Sequence, residues 1–342
     1  MATRRKKRRE MGPVLFCLIS GILVMVLLAL ASQTALAQTK YPTRSITFVC
    51  GFAAGGGADT WVRTTAKFMG KHLNVSTAAT SQPGADGLVQ MQNIMKNVPP
   101  DGYTLSHIEG STVLSHAKGM AGPDMRSPSE VTLLGCGALE TLFFGVRADS
   151  KYKTFEDFVA DCKARPGEVR VALGSSSGAG PTTANQLRDL AGLDFKLVPL
   201  GSAAQQMVEL VAGRIDLAIG DYSIWQPYLG ESVELSKRLR LLAMAGKKKR
   251  HVAQPDIPTF RELGYDITVG MFHGFAVHPN TPKGIVGTLV TAFHDVFNDP
   301  EYLDVLPKIG RAGMFYQSPE EMLETIKYYW KLGEDDKKSG RI

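Results

Sequence analysis

Two loops of small residues, each placed between an apolar run and a segment of helical periodicity, constrain the fold of this chain most strongly. The first loop spans residues 51–59, follows the apolar run 46–50 and precedes a helical segment at 60–72. The second spans residues 174–180, follows the apolar run 169–173 and opens another helical segment at 182–191. Strands that alternate with helices of this length predict parallel sheets built from βαβ units.

The first loop contains three successive glycines, Gly55, Gly56 and Gly57. Glycine carries no Cβ to keep a ligand away from the backbone and tolerates positive φ. The N–H groups at the start of the following helix lack intrahelical partners and form a natural site for an anion. The alternative is a tight strand-to-helix turn without a ligand.

The first 37 residues have the layout of an export signal. A basic stretch at residues 4–9 precedes an apolar run at 14–31, and Ala35-Leu36-Ala37 matches a cleavage site before Gln38. This order predicts a cleavable secretory signal peptide. An uncleaved membrane anchor is the alternative, because the run approaches the roughly 18 residues that can span a bilayer. Residues 38–342 contain no second apolar stretch of spanning length, so the mature protein is expected to be soluble.

The basic character of the whole chain belongs mostly to that leader. Removing its six basic residues and one acidic residue from totals of 39 and 33 leaves 33 and 32, a formal net charge of +1. A nearly neutral mature chain gives no argument for a nucleic-acid partner. The short basic run at residues 247–250 is typical of a solvated surface.

The mature chain keeps three cysteines, Cys50, Cys136 and Cys162. Their spacing argues against a zinc site and against a disulfide-dense scaffold. One disulfide with one remaining thiol, or three buried free thiols, are both compatible with the sequence. About 305 residues exceed what one hydrophobic core usually serves, which predicts two lobes.

The remaining segments continue the same alternation. The patterns predict strands at 46–50, 75–79, 104–108, 131–136, 142–146, 169–173, 195–199, 215–219 and 239–245, with another strand-like segment at 272–277. They predict helices at 60–72, 88–97, from Thr154 as N-cap to Pro166, at 182–191, 203–212, 283–297, 301–309 and 319–332. Ligands of such sheets bind outside the carboxyl ends of the strands, so the two loops are expected to face one cleft.

Seven motifs in order resemble the receptors of tripartite tricarboxylate transporters, also called the Bug family. They are Phe52-Ala53-Ala54-Gly55-Gly56-Gly57-Ala58-Asp59 with Arg63, and the stretches 83–87, 100–105, 174–180, 198–203, 213–216 and 250 with 255–259. The resemblance covers essentially all of the mature chain. No motif is decisive alone, but the ordered set is specific.

The resemblance implies an α/β, two-lobed periplasmic-binding-protein fold of type II-like arrangement. Each lobe is expected to be a mostly parallel sheet flanked by helices, with the ligand cleft between the lobes. The implied boundaries are 38–140 for the first part of lobe 1, 141–250 for lobe 2, and 251–342 for the segment that returns to lobe 1.

The implied function is that of a periplasmic solute receptor. It would capture a small carboxylated compound as a monomer and deliver it to the membrane subunits of a transporter. No catalysis, cofactor or metal is implied. A ligand sensor with the same fold, acting on a signalling partner, is the alternative that the sequence leaves open.

The resemblance also assigns candidate ligand-binding residues in both halves. In the first half they are Phe52, Ala53, Ala54, Gly56, Gly57 and Asp59, and in the second half Ser175, Ser176, Ser177, Gly180 and Thr182. Ser111, after the third strand, and Asp221, at a strand end, complete the set. Asp59 could instead complement the helix dipole, and Asp221 could cap a turn.

The chain departs from the family pattern at two places. Many relatives have Pro-Tyr-Lys-Gly where this chain has Pro199-Leu200-Gly201. After the third strand, relatives often have Ser, Asn or Thr, and this chain has Glu109. If Glu109 faces the cleft, it would repel a second carboxylate of the ligand. An exposed loop glutamate is the alternative.

A secreted serine hydrolase is the rival from another functional class. Gly174, Ser176 and Gly178 satisfy the G-x-S-x-G pattern between a strand and a helix. Asp216 or Asp221 would then be the acid, and His251, His273 or His294 the base. The pattern is permissive in any Ser/Gly-rich loop. Nucleotide binding is a weaker rival, because the first loop lacks the Lys-Ser/Thr of a P-loop.

Four aromatic residues leave their roles open in the sequence. Phe272 and His273 lie where the chain is expected to recross between the lobes, where they could pack or contact the ligand. Tyr222 and Trp225 could line the cleft or belong to the core.

Overall fold

A computed structural model of the chain describes residues 41–121, 130–246 and 250–340, with all side chains except those of 138–140. The predicted leader at 1–37 and the basic residues 247–249 lie outside these ranges. Among the helices within them, none has both the length and the apolar character needed to cross a membrane.

The described elements alternate between strands and helices along most of the chain. The strands are β1 Ile46–Cys50, β2 Thr77–Ser81, β3 Thr104–Glu109, β4 Thr132–Glu140, β5 Leu142–Arg147, β6 Arg170–Leu173, β7 Lys196–Pro199, β8 Leu217–Asp221, β9 Leu239–Met244, β10 Met271–Val277 and β11 Tyr316–Gln317. The α-helices are α1 Gly57–Leu73, α2 Leu88–Asn97, α3 Gly110–Ala117, α4 Phe155–Ala164, α5 Ala179–Ala191, α6 Ala203–Val211, α7 Tyr222–Trp225, α8 Lys283–Phe297, α9 Pro300–Lys308 and α10 Pro319–Lys338.

The first sheet has six strands in the order β11-β4-β10-β3-β1-β2. Strand β1 pairs in parallel with β2 and β3, as the βαβ pattern predicts. Strand β10 lies between β3 and β4 and is antiparallel to both. This direction is not readable in the sequence, because β10 joins the sheet only after the chain has built a second sheet.

The second sheet has five strands in the order β7-β6-β8-β5-β9 and repeats the same plan. Strand β6 pairs in parallel with β7 and β8, and β5 lies antiparallel between β8 and β9. One residue, Thr141, separates β4 of the first sheet from β5 of the second. The chain therefore leaves the first sheet at Thr141 and returns to it through the segment between β9 and β10. Both sheets are therefore mixed, with as many antiparallel as parallel pairings or more, where mostly parallel sheets were expected.

Two helices begin earlier than their sequence patterns predict, and the patterns do not predict a third. Helix α1 begins at Gly57 and α5 at Ala179, three residues before the predicted starts in both cases. Helix α3 begins at Gly110 directly after β3 and has no counterpart among the predicted helices. Glycine, proline, serine, threonine and aspartate rank low in helix propensity and make up most of these first turns, so the sequence does not show where the helices start.

Helix α3 depends on its packing against α10. A Cβ at Gly110 would lie 2.6 Å from Cε1 of Tyr329, so only glycine lets the helix start approach that ring. A Cβ at Gly333 would lie 2.6 Å from the Cβ of Ala117 and 2.9 Å from the carbonyl oxygen of Leu114. An eight-residue helix is marginal by itself, so these close contacts stabilise it.

The predicted helix start at Thr154 is confirmed. The Thr154 hydroxyl accepts a hydrogen bond from the Asp157 N–H at 3.3 Å, and the Asp157 carboxylate accepts one from the Thr154 N–H at 2.9 Å. This reciprocal pair is a capping box, which satisfies two donors that the helix itself leaves unpaired.

The core accounts for several residues whose roles the sequence left open. Cys50, Cys136 and Cys162 are free and buried, so the disulfide alternative is wrong. Burial raises the pKa of Cys50 to about 12, which keeps its thiol protonated. Trp225 is fully buried and donates to the carbonyl oxygen of Gly220, and Phe272 is fully buried against Tyr329.

The contact between α3 and α10 predicts opposite effects for two glycine substitutions. Gly333→Ala should lower the free energy of unfolding by about 1–3 kcal/mol, because its new methyl group meets backbone and side-chain atoms of α3. Gly287→Ala, on the exposed face of α8 with no atom within 4 Å, should raise it by roughly 0.5–1 kcal/mol. Urea denaturation of both variants measures the difference. A Gly333→Ala variant as stable as Gly287→Ala would contradict the packing.

Candidate functional site

The carboxylate of Asp59 holds the first glycine loop from beneath. It accepts hydrogen bonds from the Gly55 N–H at 2.8 Å, from Arg63 Nε at 2.8 Å and from the Ser81 hydroxyl at 2.7 Å. Burial raises the pKa of Asp59, but the hydrogen bonds from Arg63, Gly55 and Ser81 outweigh burial and lower the pKa below its usual value. Asp59 is 2% exposed and shapes the loop; its predicted contact with a ligand stays a prediction.

The outer side of the loop is open. Ala53, Ala54 and Gly56 are exposed, and Phe52 is half-buried with its ring edge against His107. No side chain caps α1 at its N-cap residue Gly56. The N–H groups of the first helical turn therefore remain available to a ligand on that side.

Gly57 lies against the second half of the chain. A Cβ there would lie 2.5 Å from Oγ of Ser223 and 2.7 Å from Nη2 of Arg311. Glycine at 57 thus lets the start of α1 approach α7 and the segment after α9. The predicted ligand role of Gly57 is untested, but its close packing gives a separate reason for glycine.

Asp221 caps α7. The sequence left open whether it would cap a turn or contact the ligand. Its Oδ1 accepts from the Ser223 N–H at 2.9 Å and from Nη1 of the buried Arg311 at 3.2 Å. Burial raises the pKa of Asp221, but Arg311 and the hydrogen bonds from Ser223 together outweigh burial and lower the pKa, so the carboxylate stays ionised. The pair places a guanidinium beside the glycine loop, which sequence reasoning missed because Arg311 follows α9 without a motif.

The second loop meets the start of α3. Oγ of Ser111 accepts a hydrogen bond from the Ala179 N–H at 3.4 Å. A Cβ at Gly178 would lie only 2.6 Å from Oγ of Ser111, so glycine permits this approach. No side chain of the loop caps α5, and Pro181 has no N–H. Gly180 therefore supplies the next N–H donor of the first turn.

The three serines of the second loop have different environments. Ser175 is half-buried and accepts from the Gly178 N–H at 3.3 Å, whereas Ser176 is exposed. Ser177 is buried and donates to Oδ2 of Asp86 at 2.5 Å, and Ser115 of α3 donates to the same oxygen at 2.6 Å. Asp86 thus ties the second loop to the turn that follows β2.

A buried lysine completes the contact between α3, α5 and α10. Nζ of Lys118 lies 2.8 Å from the Ser177 carbonyl oxygen, 3.0 Å from Oγ1 of Thr182 and 2.9 Å from Oδ2 of Asp336. Thr182 donates to the same Asp336 oxygen at 2.7 Å. We call these residues with Asp86 and Ser115 the α3–α5 seam. Asp86 belongs to a motif that the sequence displays, but no sequence signal marks Lys118 or Asp336.

Three buried side chains meet beneath Phe52. Nε2 of His107 lies 3.0 Å from Nδ1 of His273, and that nitrogen lies 3.4 Å from Oε2 of Glu109. Burial is the main cause that lowers the pKa of both histidines well below the usual value, so both rings are neutral. Glu109 is 2% exposed, so its alternative as an exposed loop residue is wrong.

The histidines of the hydrolase alternative lie elsewhere. His251 packs against Phe143 and Tyr222, His273 bonds to His107, and His294 lies beside Asp295 on the surface. None of these contacts involves Ser176. The arrangement instead offers open helix starts and a buried guanidinium, which suit an anion better than they suit nucleophilic attack.

The buried charge of the seam predicts a large effect from one substitution. Lys118→Met leaves the buried carboxylate of Asp336 without its cation and should cost about 3–5 kcal/mol of unfolding free energy. Adding Asp336→Asn should restore a substantial part of that loss, because no buried charge then remains. Urea denaturation of the single and double variants measures both effects. The control is the exposed pair Lys331–Asp335, which lies on α10 as Asp336 does. Lys331→Met should change the free energy of unfolding little.

A Lys118→Met variant as stable as Lys331→Met, or a double variant that loses the sum of both single losses, would contradict this account of the seam.

Comparison with known proteins agrees with the architecture. A family model described as "Tripartite tricarboxylate transporter family receptor" matches residues 61–327. A Cupriavidus necator protein described as "UPF0065 protein in gbd 5'region" is 30% identical over 315 residues, which cover 88% of this chain and 90% of that protein.

Solved structures share the fold at lower identity. MatC from Rhodopseudomonas palustris, with bound malate, is 22% identical with a TM-score of 0.73, and the match covers 87% of this chain and 100% of that one. The R. palustris protein Rpa4515, with adipate, is 22% identical with a TM-score of 0.75, over 87% and 98% of the two chains. The two mixed sheets thus form the two-lobed α/β fold of periplasmic binding proteins. By its family match and its relative of 30% identity, the chain belongs to the tripartite tricarboxylate transporter receptor family.

Proposed function

We propose that this chain is an exported receptor that binds a small carboxylate between its two loops and delivers it to a membrane transporter. The observation that carries the proposal is the pair of helix starts without side-chain caps, at Gly56 and Gly178. Side chains cap α4, α6, α7, α9 and α10, whereas α2, α3 and α8 also lack such caps. The starts of α1 and α5 differ from these three because each follows a loop of small residues at the end of a strand, β1 or β6. At the second loop the Ala179 N–H already donates to Ser111, so the donors proposed for a ligand are those of the first turn of α1 and the Gly180 N–H.

Electrostatics favour an anion at these positions. Each helix start carries a partial positive charge that stabilises a nearby anion by about 0.3–1 kcal/mol, and more in a partly buried site. The guanidinium of Arg311 lies beside Gly57 and balances the negative charge of Asp221 near the first loop. Asp59 takes one donor of the first loop, the Gly55 N–H, and Asp221 accepts from the Ser223 N–H, so neither carboxylate takes the N–H groups of the first turn of α1.

The relatives narrow the chemical class of the ligand. Two proteins of the same fold hold malate and adipate, both of which are small dicarboxylates. In this chain the two small-residue loops lie at strand ends, one between β1 and α1 and the other between β6 and α5. A carboxylated organic acid is therefore the ligand class we assign, and it is bound without chemical change.

The remaining parts of the proposal follow from this role. The predicted leader would place the receptor in the periplasm, where it would act as a monomer and close its lobes over the ligand. Family membership supports transfer to the membrane subunits of a tripartite tricarboxylate-type transporter.

A thermal-shift screen tests the ligand class. Protein purified from the periplasm of cells that express the full chain is heated with mono-, di- and tricarboxylates, aromatic acids, amino acids and sugars. A ligand that binds only the folded state raises the free energy of unfolding by RT ln(1 + [L]/Kd), which is about 2.7 kcal/mol at a ligand concentration of 100 Kd. The unfolding midpoint therefore rises with ligand concentration. A concentration-dependent shift is expected from carboxylates. Shifts caused only by sugars or other uncharged compounds would overturn the anion site.

A substitution at Gly56 tests the first loop directly. A Cβ at this exposed glycine meets only the Ala53 carbonyl oxygen, at 3.2 Å, so Gly56→Val should fold while its side chain obstructs the open helix start. We expect the affinity for the carboxylate found in the screen to fall at least about tenfold, which corresponds to about 1.4 kcal/mol. Isothermal titration calorimetry measures it.

Gly284→Val is the matched control, because this exposed glycine on α8 has no atom within 4 Å of an added Cβ. It should bind the carboxylate as the parent does. Equal affinities of Gly56→Val and Gly284→Val would show that the first loop is not part of the binding site.

A further inference from the structure

We propose that His107, Glu109 and His273 form a binding site for a divalent transition-metal ion of the zinc type. The site lies beneath Phe52 and is separate from the backbone donors of the two loops. Its three side chains offer one ligand atom each, and these atoms lie within 4.8 Å of one another. Nothing in the proposed carboxylate binding requires this cluster.

The pairing of β3 with β10 brings the three residues together. His107 and Glu109 are two residues apart on β3, so their side chains lie on the same face of the sheet. His273 of β10 is directly opposite Glu109 in the antiparallel register. Two neighbouring central strands therefore place the three side chains on a rigid support.

The distances fit the edges of a tetrahedral metal site. Zinc binds imidazole nitrogen at about 2.0–2.1 Å, which separates neighbouring ligand atoms by about 3.3 Å. The observed separations are 3.0 Å between Nε2 of His107 and Nδ1 of His273, and 3.4 Å between that nitrogen and Oε2 of Glu109. The third pair, between His107 and Glu109, lies within 4.8 Å, so metal binding would require side-chain rotation that shortens this edge.

The donor set selects the class of metal. Two imidazoles and one carboxylate suit Zn²⁺, Co²⁺, Ni²⁺ and Cu²⁺, whereas Mg²⁺ and Ca²⁺ prefer oxygen ligands alone. Three protein ligands leave a fourth position for water or another small ligand. The carboxylate also balances part of the charge of a dication in a buried place.

The surroundings hold the rings in position. Trp61 stacks on His273 with ring centroids 5.3 Å apart, and Phe52 covers His107. Sγ of Cys50 lies 3.9 Å from Nδ1 of His107, the ring nitrogen that faces away from the cluster. A partner on that nitrogen orients a metal-binding histidine through its ring.

A proton occupies the place of the metal when the site is empty. Two neutral imidazole nitrogens 3.0 Å apart share one hydrogen, carried by His107 Nε2 or by His273 Nδ1. Metal binding requires the ring that carries this hydrogen to hold it on its other nitrogen, so both imidazoles stay neutral and both facing nitrogens donate lone pairs to the ion. The competing account is a hydrogen-bonded core cluster that never takes a metal.

Metal titration distinguishes the two accounts. Protein from the periplasm of cells that express the full chain is stripped with a chelator, dialysed and titrated with Co²⁺ and Zn²⁺. One Co²⁺ per chain with a strong ligand-field absorption band, displaced by one equivalent of Zn²⁺, is expected. Failure to bind stoichiometric metal, or a weak band typical of hexa-aquo cobalt, would overturn the proposal.

Substitutions assign the ligands. Glu109→Gln, which is nearly isosteric, and His273→Asn are made as separate variants. Each should weaken Zn²⁺ binding at least about tenfold. His72→Asn is the control, because His72 also contacts a carboxylate, that of Asp299, but lies on the surface. Its Zn²⁺ affinity should equal that of the parent. Unchanged affinity in Glu109→Gln and His273→Asn, or loss of binding in His72→Asn, would contradict the site.

A measurement on the parent protein avoids any dependence on how the variants fold. Electron spin-echo envelope modulation of the Cu²⁺-loaded protein counts bound imidazoles. Two are expected from His107 and His273, and one or none would refute the assignment. These experiments use no carboxylate, so their outcome is independent of the ligand screen.

Discussion

The buried ion pair between Lys118 and Asp336 is the interaction on which the position of the second loop depends. A charge that is removed from water needs a partner close by, and here Asp336, Thr182 and the Ser177 carbonyl surround the ammonium group. These partners come from α5, α10 and the second loop, while the lysine directly follows α3. The requirement for charge neutralisation thus fixes the end of α3 against α5, α10 and the second loop.

The same requirement explains why acidic residues lie near a site proposed for anions. Asp59 accepts hydrogen bonds from its own loop, Asp221 is paired with Arg311, and Asp86 receives two serine hydroxyls. Each carboxylate stabilises a loop or a helix start from the protein side. The backbone N–H groups on the other side remain for a ligand, so protein anions and a ligand anion do not compete for the same donors.

Much of the fold and part of the site could be predicted from the sequence. The strand at 46–50 and the helices at 88–97 and 283–297 have the predicted bounds, because a strong apolar period shows directly which face is buried. Helix α3 could not be predicted, because its stability comes from close contacts of Gly110 and Gly333 with residues over 200 positions away in sequence. The antiparallel β10 depends likewise on the path of the chain between the sheets.

The sequence by itself determined the two small-residue loops, the strand–helix alternation and the family, because these depend on local residue type and order. Tertiary structure alone decided which polar side chains meet. Arg311 reaches Gly57 and Asp221, Lys118 reaches Asp336, and His273 reaches His107 and Glu109 across an antiparallel strand pair. Contacts between residues far apart in sequence have no local pattern, since they arise only when packing brings separate strands and helices together.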